Sequence, residues 1–205
     1  MLSSLTPLTP ELVRLAAAAG ANAFADDPST LYLIPNTNNR PKLYHAFEYC
    51  LRLSLLDHSE THLTSAGCEG LAIWVHSNSK SSFVNNIRAG WPWNLLRCGL
   101  TYLIRDLSLQ RRYEALRREI MPEPHLYLAL LAVAPKFQGQ GLASKLVRPM
   151  LSRLDTEQLP AYLETQNLKN VAMYERYGFQ LSREDAVPRA NFTMYLMVRR
   201  PAITS

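Results

Sequence analysis

The chain has 205 residues and a net charge of +5, with 47% hydrophobic and 19% charged residues. This is the composition of a folded globular protein, and the length is sufficient for one domain over residues 1–205 with a substantial core. Because long uncharged apolar stretches and a signal-peptide pattern are both absent, we expect no membrane partner and no exported precursor.

Cysteine usage and charge distribution bear on location and partners. Cys50, Cys68 and Cys98 are an odd count without metal-ligand spacing, so we expect reduced thiols in a cytoplasmic protein and no metal site. The densest basic cluster, residues 105–118, alternates with Leu, Tyr and Glu. A solvated helix face is the prediction there, and no nucleic-acid partner is expected.

The first third of the chain predicts an edge strand, two helices and a hairpin. A short strand is expected within residues 1–8. Thr9-Pro10-Glu11 supplies a cap, a first-turn proline and an acid, so a helix should begin there and end near Gly20. Apolar residues four apart predict a second helix, and two strand-like runs predict an antiparallel hairpin. These elements cover residues 40–56, 61–64 and 71–75.

Residues 78–122 are predicted to be mainly helical. The segments are 85–89, 93–103 and 107–120, with a corner at Gly90-Trp-Pro-Trp93. Pro122-Glu-Pro124 then favours extended backbone leading into the next strand.

Residues 126–143 are the most informative stretch. The run 126–133 is apolar without alternation, which is typical of a strand covered on both faces, although a buried helix shows the same run. Gln138-Gly139-Gln140-Gly141 follows, and a helix is predicted over 142–154. Strand, glycine loop and helix together build a phosphate site, because glycine lets backbone amides approach a ligand and a helix N-terminus favours negative charge.

Three phosphate ligands compete for this loop. A nucleoside-triphosphate loop needs G-x-x-x-x-G-K-[ST], which is absent. A dinucleotide fingerprint needs G-x-G-x-x-G, but Ser144 takes the third glycine position and too little chain follows, although Glu164 lies where the ribose-binding acid would be. The third ligand is an acyl-CoA, and an ordinary turn without a ligand stays open from the loop alone.

A second motif lies downstream. A short strand is predicted at 161–165 and a helix at 167–177, with Gly178 as its C-terminal cap. Asn167, Asn170 and Tyr174 are three and four residues apart, which places them on one helical face. Strands beginning near residue 179 and over 191–199 should then pair with each other.

The two motifs together resemble the GNAT superfamily, the acyl-CoA-dependent N-acyltransferases. They are Q-x-x-G-x-A, ending at Ala143, and N-x-x-N-x-x-x-Y-x-x-x-G-F over residues 167–179. The resemblance covers 126–182 well and implies an α/β (α+β) fold with a mixed, mostly antiparallel central sheet flanked by helices. Residues 78–122 are then a helical insertion before the central strand, as in small-molecule acetyltransferases resembling puromycin N-acetyltransferase.

The resemblance also implies a co-substrate, acetyl-CoA, and roles for individual residues. Glu164 would be the general base for the amine, and Tyr174 the acid for the leaving thiolate, while a surface or helix-cap acid and a core tyrosine are the alternatives. The pantetheine arm would be bound by free backbone groups of Leu131, Ala132 and Val133 and held by Asn167 and Asn170. The pyrophosphate would be bound by the backbone amides of the loop, which are those of Gln138, Gly139, Gln140, Gly141, Leu142 and Ala143. Three lysines near the loop, Lys136, Lys145 and Lys169, could add charge.

The acceptor is expected to be the primary amine of a small molecule, attacked directly in a ternary complex. Asp26, Asp27 and Tyr32 are candidate amine contacts, or else helix caps and a packed ring. The inserted aromatic residues form either a lid over the site or a layer on a sheet edge or in a homodimer contact; they are Trp91, Trp93, Tyr102 and Tyr113. The alternative functions are a protein or peptide N-acetyltransferase and a non-catalytic acyl-CoA-binding regulatory module.

Overall fold

The computed structural model describes residues 5–35, 40–188 and 190–202, and within them the chain forms seven strands, eight α-helices and a short 3-10 helix (Pro135–Phe137). The strands are β1 (Thr6–Pro7), β2 (Glu60–Leu63), β3 (Gly70–His76), β4 (Leu126–Val133), β5 (Ala161–Thr165), β6 (Gln180–Val187) and β7 (Phe192–Arg199). The helices are α1 (Val13–Ala23), α2 (Pro28–Leu33), α3 (Arg40–Leu56), α4 (Phe83–Ala89), α5 (Trp91–Cys98), α6 (Leu100–Ile120), α7 (Leu142–Thr156) and α8 (Leu168–Glu175).

The strands form one sheet in the order β1-β2-β3-β4-β5-β7-β6. Neighbouring strands are antiparallel except for β4 and β5, which are parallel. The predicted mixed, mostly antiparallel sheet flanked by helices is therefore confirmed. The hairpin strands and the central strand lie within one residue of their predicted bounds.

Strand β4 separates from β5 soon after it begins. Their pairing joins Leu126 to Ala161 and Tyr127 to Tyr162, and then stops. On its other edge β4 stays paired with β3 as far as Val133, with a bulge between Leu128 and Leu130. Because a bulge bends a strand and increases its twist, it favours this separation. From residue 128 to 133, β4 thus presents a backbone edge that no described strand covers.

Alternating side chains give the sheet two faces. The first, here called the α7 face, is covered by α7 and α8, which pack on residues such as Trp74, Leu128 and Leu163. The second, here called the α6 face, is covered in two parts. Helices α1 and α3 pack over β3 and the end of β4, and α6 packs over β5, β6 and β7. The line between these two parts coincides with the gap between β4 and β5.

The first helix and the insertion differ from the sequence-based boundaries. Helix α1 starts at Val13 because the Leu12 amide closes a turn on the Thr9 carbonyl oxygen (3.1 Å), and it continues past Gly20. A Cβ atom at Gly20 would lie 2.5 Å from the Phe47 ring, so close packing of α1 on α3 requires this glycine. In the insertion the break comes at Gly99, with φ of +89°, and α6 is one helix.

Among the described residues, no helix is long and apolar enough to cross a membrane.

Candidate active site

The loop between β4 and α7 presents backbone amides to open space. Gly139 and Gly141 have φ values of +77° and +78°, which only glycine adopts readily, and a Cβ on either would meet no atom within 4 Å. The amides of residues 139–143 donate no hydrogen bond to another described residue. Helix α7 begins directly after Gly141, so its positive end faces the same space. These features suit a pyrophosphate.

Polar side chains brace this loop. Gln138 Nε2 donates to the Val133 carbonyl oxygen (3.1 Å), which ties the loop to the end of β4. Lys145 Nζ donates to the Thr64 carbonyl oxygen (2.9 Å), so its ammonium is engaged at the corner between β2 and β3. Lys136 is exposed on the loop itself.

The predicted pantetheine residues lie along the free edge of β4. Leu131, Ala132 and Val133 pair with β3 on one side, and their other side faces the gap. Because backbone groups of a strand alternate in direction, part of their N–H and C=O groups are open to a ligand in this gap.

The two asparagines lie at the start of α8, beside the gap. Asn167 is the N-cap and not a helical residue: its Oδ1 accepts from the Lys169 amide (3.0 Å), and its φ is −112°. Asn170 Nδ2 donates to Thr165 Oγ1 (3.3 Å) at the end of β5. The shared helical face is therefore limited to Asn170 and Tyr174, because Asn167 has left the helical conformation.

Tyr174 lies on the α7 face. Its side chain is buried, and its ring meets Phe179 edge-on with centroids 5.9 Å apart. Burial raises the pKa of Tyr174, with smaller contributions from Tyr177 and the Asp27 carboxylate. The hydroxyl group therefore stays protonated through the neutral range, as a hydrogen-bond donor to a thiolate must.

Glu164 lies on the α6 face, because β5 alternates and Leu163 and Thr165 point to the other side. Its Oε1 is buried and has no hydrogen-bond partner among the described residues. Burial raises the pKa of this carboxyl to about 7, against the opposing effects of the Tyr127 hydroxyl and the Arg117 charge. Glu164 is thus neither a surface acid nor a helix cap.

Two tyrosines and an arginine around Glu164, namely Tyr127, Tyr162 and Arg117, were missed from the sequence, whereas Tyr113 was predicted only as part of a possible lid. The Glu164 charge raises the pKa of Tyr113, Tyr127 and Tyr162 in addition to the effect of their burial. The Arg117 guanidinium stacks 4.4 Å from the Tyr127 ring centroid. Tyr162 could have been found from its spacing of two residues from Glu164, which puts both on one strand face. Tyr113 and Arg117 come from α6, and only the tertiary structure brings them here.

In the turn-rich segment before α3, Asp27 and Tyr32 have the structural roles, a helix cap and a packed ring, that were the alternatives to contacts with the amine. Asp27 caps α2, accepting from the Ser29 amide (2.9 Å). The Tyr32 ring packs under the Arg105 guanidinium at 5.0 Å. Asp26 is exposed.

Tyr113 is the one of the four inserted aromatic residues that reaches the Glu164 surroundings: its hydroxyl accepts from Gln166 Nε2 (3.0 Å). Trp93 is 64% exposed and lines a separate cavity formed by α3, α4 and α5. Within the insertion, Tyr113 therefore lies near Glu164, whereas Trp93 lies on the outer surface.

Glu164 on β5 and Tyr174 on α8 therefore lie on opposite faces of the sheet. A thioester held in the gap could receive an amine from the Glu164 side, while its sulfur faces the α7 face.

Comparison with known proteins agrees with this geometry. Residues 102–179, from α6 to the residue after Gly178, match the Acetyltransferase (GNAT) family model. An uncharacterized N-acetyltransferase of Schizosaccharomyces pombe is 28% identical over 93% of this chain and 80% of its own length. Residues 102–179 therefore carry a GNAT acetyltransferase domain, which includes the β4–α7 loop and α8.

Solved GNAT structures share the fold over nearly the whole chain. A Corynebacterium glutamicum protein described as histone acetyltransferase HPA2 and related acetyltransferase superposes with a TM-score of 0.71 at 21% identity, covering 98% of both chains. Arylalkylamine N-acetyltransferase 2 of Aedes aegypti superposes with a TM-score of 0.62 at 14% identity, covering 97% of this chain and 98% of its own. At these identities the similarity concerns the fold alone. The resemblance to puromycin N-acetyltransferase stays a prediction.

Proposed function

We propose that this GNAT protein transfers an acetyl group from acetyl-CoA to the primary amine of a small molecule, and that residues 1–205 form one catalytic domain. The observation that carries the proposal is the gap between β4 and β5. It has an open amide loop at its end, a buried carboxyl group with a pKa of about 7 on one face and a protonated tyrosine on the other.

Acetyl-CoA binding is assigned to the loop and the free strand edge. The amides of residues 139–143 and the N-terminus of α7 hold the pyrophosphate, whereas the Gln138 amide already donates to the Pro135 carbonyl oxygen (3.3 Å). The pantetheine arm lies along residues 131–133, with Asn167 and Asn170 beside it. A free β4 amide would donate to the thioester carbonyl oxygen and stabilise the negative charge that develops there during attack.

Glu164 suits the base role because of its environment. An unperturbed lysine-like amine has a pKa near about 10.4, so the acceptor arrives protonated and must lose a proton before attack. A carboxylate with a pKa of about 7 accepts a proton more readily than one at the ordinary value of 4.5. The proton passes from the amine to Glu164 directly or through water.

Tyr174 suits the acid role on the opposite face. The thiolate leaves when the tetrahedral intermediate collapses, and the phenol donates a hydrogen bond and then a proton to its sulfur. A phenol is a weaker acid than a thiol, whose pKa is about 8.5, so the site must lower the barrier by bringing the donor into contact with the developing charge.

A small acceptor is favoured by the approach to Glu164. The Tyr113 side chain, on α6, narrows the space through which an acceptor would reach Glu164, and α3 lies on the other side of the gap. An extended peptide would need an open groove in this region. Aromatic walls at Tyr113 and Tyr127 instead suit an amine with an apolar body.

Free thiol release measured with acetyl-CoA and a panel of amines tests the proposal. The panel contains alkylamines, arylalkylamines, polyamines, a lysine peptide and a peptide with a free N-terminus. We expect the highest kcat/KM with a small primary amine. A higher kcat/KM with either peptide would overturn the small-molecule acceptor, and acetyl-CoA binding without turnover on any amine would indicate a regulatory module.

A further inference from the structure

The inserted helices carry most of the exposed apolar side chains. Among the described residues thirteen large hydrophobic side chains are exposed, and eight of them lie between positions 83 and 107. They are Phe83, Val84, Ile87, Trp93, Leu96, Leu100, Ile104 and Leu107. Exposed apolar residues scattered singly are ordinary, but a concentration on consecutive helices indicates a contact surface.

The first half of α6 is apolar on two sides. Its inner side buries Leu109 against the sheet, as expected for a helix of the fold. Its outer side carries Leu100, Ile104 and Leu107, spaced by four and three residues, where a solvated helix would carry polar groups. One turn later the same outer stripe changes to the exposed Arg111. The outer side is therefore built for a second contact.

The apolar segment is also basic. Residues 83–107 contain three arginines and one acidic residue, a surplus of two. Arg88 and Arg97 are exposed, whereas Arg105 donates to the Tyr32 carbonyl oxygen (2.7 Å). A partner for this surface should therefore be negatively charged as well as apolar.

A cavity joins the apolar and basic groups. It has a volume of about 410 Å³, lies between α3, α4 and α5, and is lined by Ile87 and Trp93 together with three arginines. Arg52 is paired with Glu48 at 2.8 Å, and Arg97 contacts His45 at 3.2 Å. Arg88 has no ion pair or hydrogen bond to a described side chain. Guanidinium groups bind phosphate in a fixed planar geometry, so this cavity suits a phosphate group.

We propose that α4, α5 and the first half of α6 dock on an anionic phospholipid surface, with a headgroup phosphate in this cavity. Apolar side chains with a tryptophan and interspersed arginines on consecutive helices are the pattern of interfacial membrane binding. A second copy of the chain is a poor occupant, because it would bring the same positive surplus against itself. The contact lies at the membrane surface, a mode that the sequence-based expectation of no membrane partner did not consider.

Vesicle co-sedimentation tests the docking directly. The full chain is mixed with vesicles of phosphatidylcholine alone or of phosphatidylcholine with phosphatidylserine. We expect binding at least about tenfold stronger to the anionic vesicles, weakening as salt screens the arginines. Trp93 is exposed, whereas Trp91 is half-buried and Trp74 is buried. Tryptophan fluorescence should therefore shift to the blue on binding, and Trp93→Phe should remove most of that shift.

A pair of double variants separates this surface from general stickiness. Leu96→Ser with Arg97→Glu should lose anionic vesicle binding at least about tenfold. Arg14→Glu with Leu15→Ser changes a matching exposed pair on α1 and should bind like the wild-type protein. Circular dichroism confirms that both variants are folded.

Three outcomes would overturn the docking. Equal binding to neutral and anionic vesicles, or equal loss in both double variants, would remove the role of this surface. A concentration-dependent dimer that Leu96→Ser with Arg97→Glu dissociates, without vesicle binding, would assign the surface to a second copy. Thermal stabilisation by inorganic phosphate without vesicle binding would make the cavity a site for a soluble anion.

Discussion

Two regions of the chain, residues 126–179 and the helical insertion before them, contribute to the site in different ways. Residues 126–179 carry the amide loop, the free strand edge, Glu164 and Tyr174, all within one continuous stretch. The insertion, residues 78–122, supplies Tyr113 and Arg117 from the end of a long helix and sends the rest of its side chains elsewhere. One region thus holds the proposed reacting groups, while the other sets the electrostatic environment of Glu164.

The largest expected effect comes from the glycine loop. Gly141→Glu should weaken acetyl-CoA binding by at least about 100-fold, because a carboxylate would face the pyrophosphate in the space that is now open. Calorimetry measures the Kd.

Gly141→Ala is the matched control for the loop. It imposes the same strain at φ +78° without adding charge, and should weaken binding much less. If alanine were as harmful as glutamate, backbone strain would account for the loss. Tight binding of NAD in place of acetyl-CoA would contradict the assignment of the loop.

Tyr174→Phe should lower kcat by roughly 100-fold and leave the acetyl-CoA Kd within a few-fold, because only the proton donor is lost. Tyr177→Phe, three residues along the chain and half-buried, should leave both constants unchanged. Steady-state rates over the full pH range decide the matter. An unchanged kcat for Tyr174→Phe when chemistry is rate-limiting would reject this residue as the acid.

The pH dependence of the free energy of unfolding reports how strongly burial raises the pKa of Glu164. Its pKa is raised from 4.5 to about 7, so the folded state favours the protonated form. The corresponding stability is present at acidic pH and is lost as the pH rises from 4.5 through 7. Relative to Glu164→Gln, the wild-type protein should lose up to about 3 kcal/mol over this range. Urea unfolding at both ends of the range would detect it, and a pH-independent difference would mean that Glu164 is well solvated.

The smallest effects should come from substitutions in the insertion, and Tyr113 and Trp93 should respond differently. Tyr113→Phe removes the hydroxyl that accepts from Gln166, and we expect a several-fold rise in KM for the best amine with an unchanged Kd for acetyl-CoA. Trp93→Ala should change neither constant, because Trp93 lines the outer cavity. A rise in KM for Trp93→Ala alone would restore an aromatic lid formed by α5.

Local patterns explain how much of this structure the sequence could predict. The loop, β4, β5 and α8 follow from glycine spacing, apolar runs and proline positions, which act over a few residues. The sequence predicted Asn167 as a helical residue, but it is the N-cap of α8, since a cap and a first helical residue look alike in sequence. The Glu164 surroundings combine strands β4 and β5 with α6, and their contact depends on how α6 crosses the sheet, which periodicity does not encode.

The most direct test of the central claim is the pH dependence of kcat/KM at saturating acetyl-CoA. Glu164 must be ionised to take the amine proton, so the wild-type rate should rise with pH through an acidic limb with an apparent pKa of about 7. In Glu164→Gln this limb should vanish, and activity should appear only where the free amine is abundant. An identical acidic limb in both proteins would contradict the account, because the group that titrates could not then be Glu164.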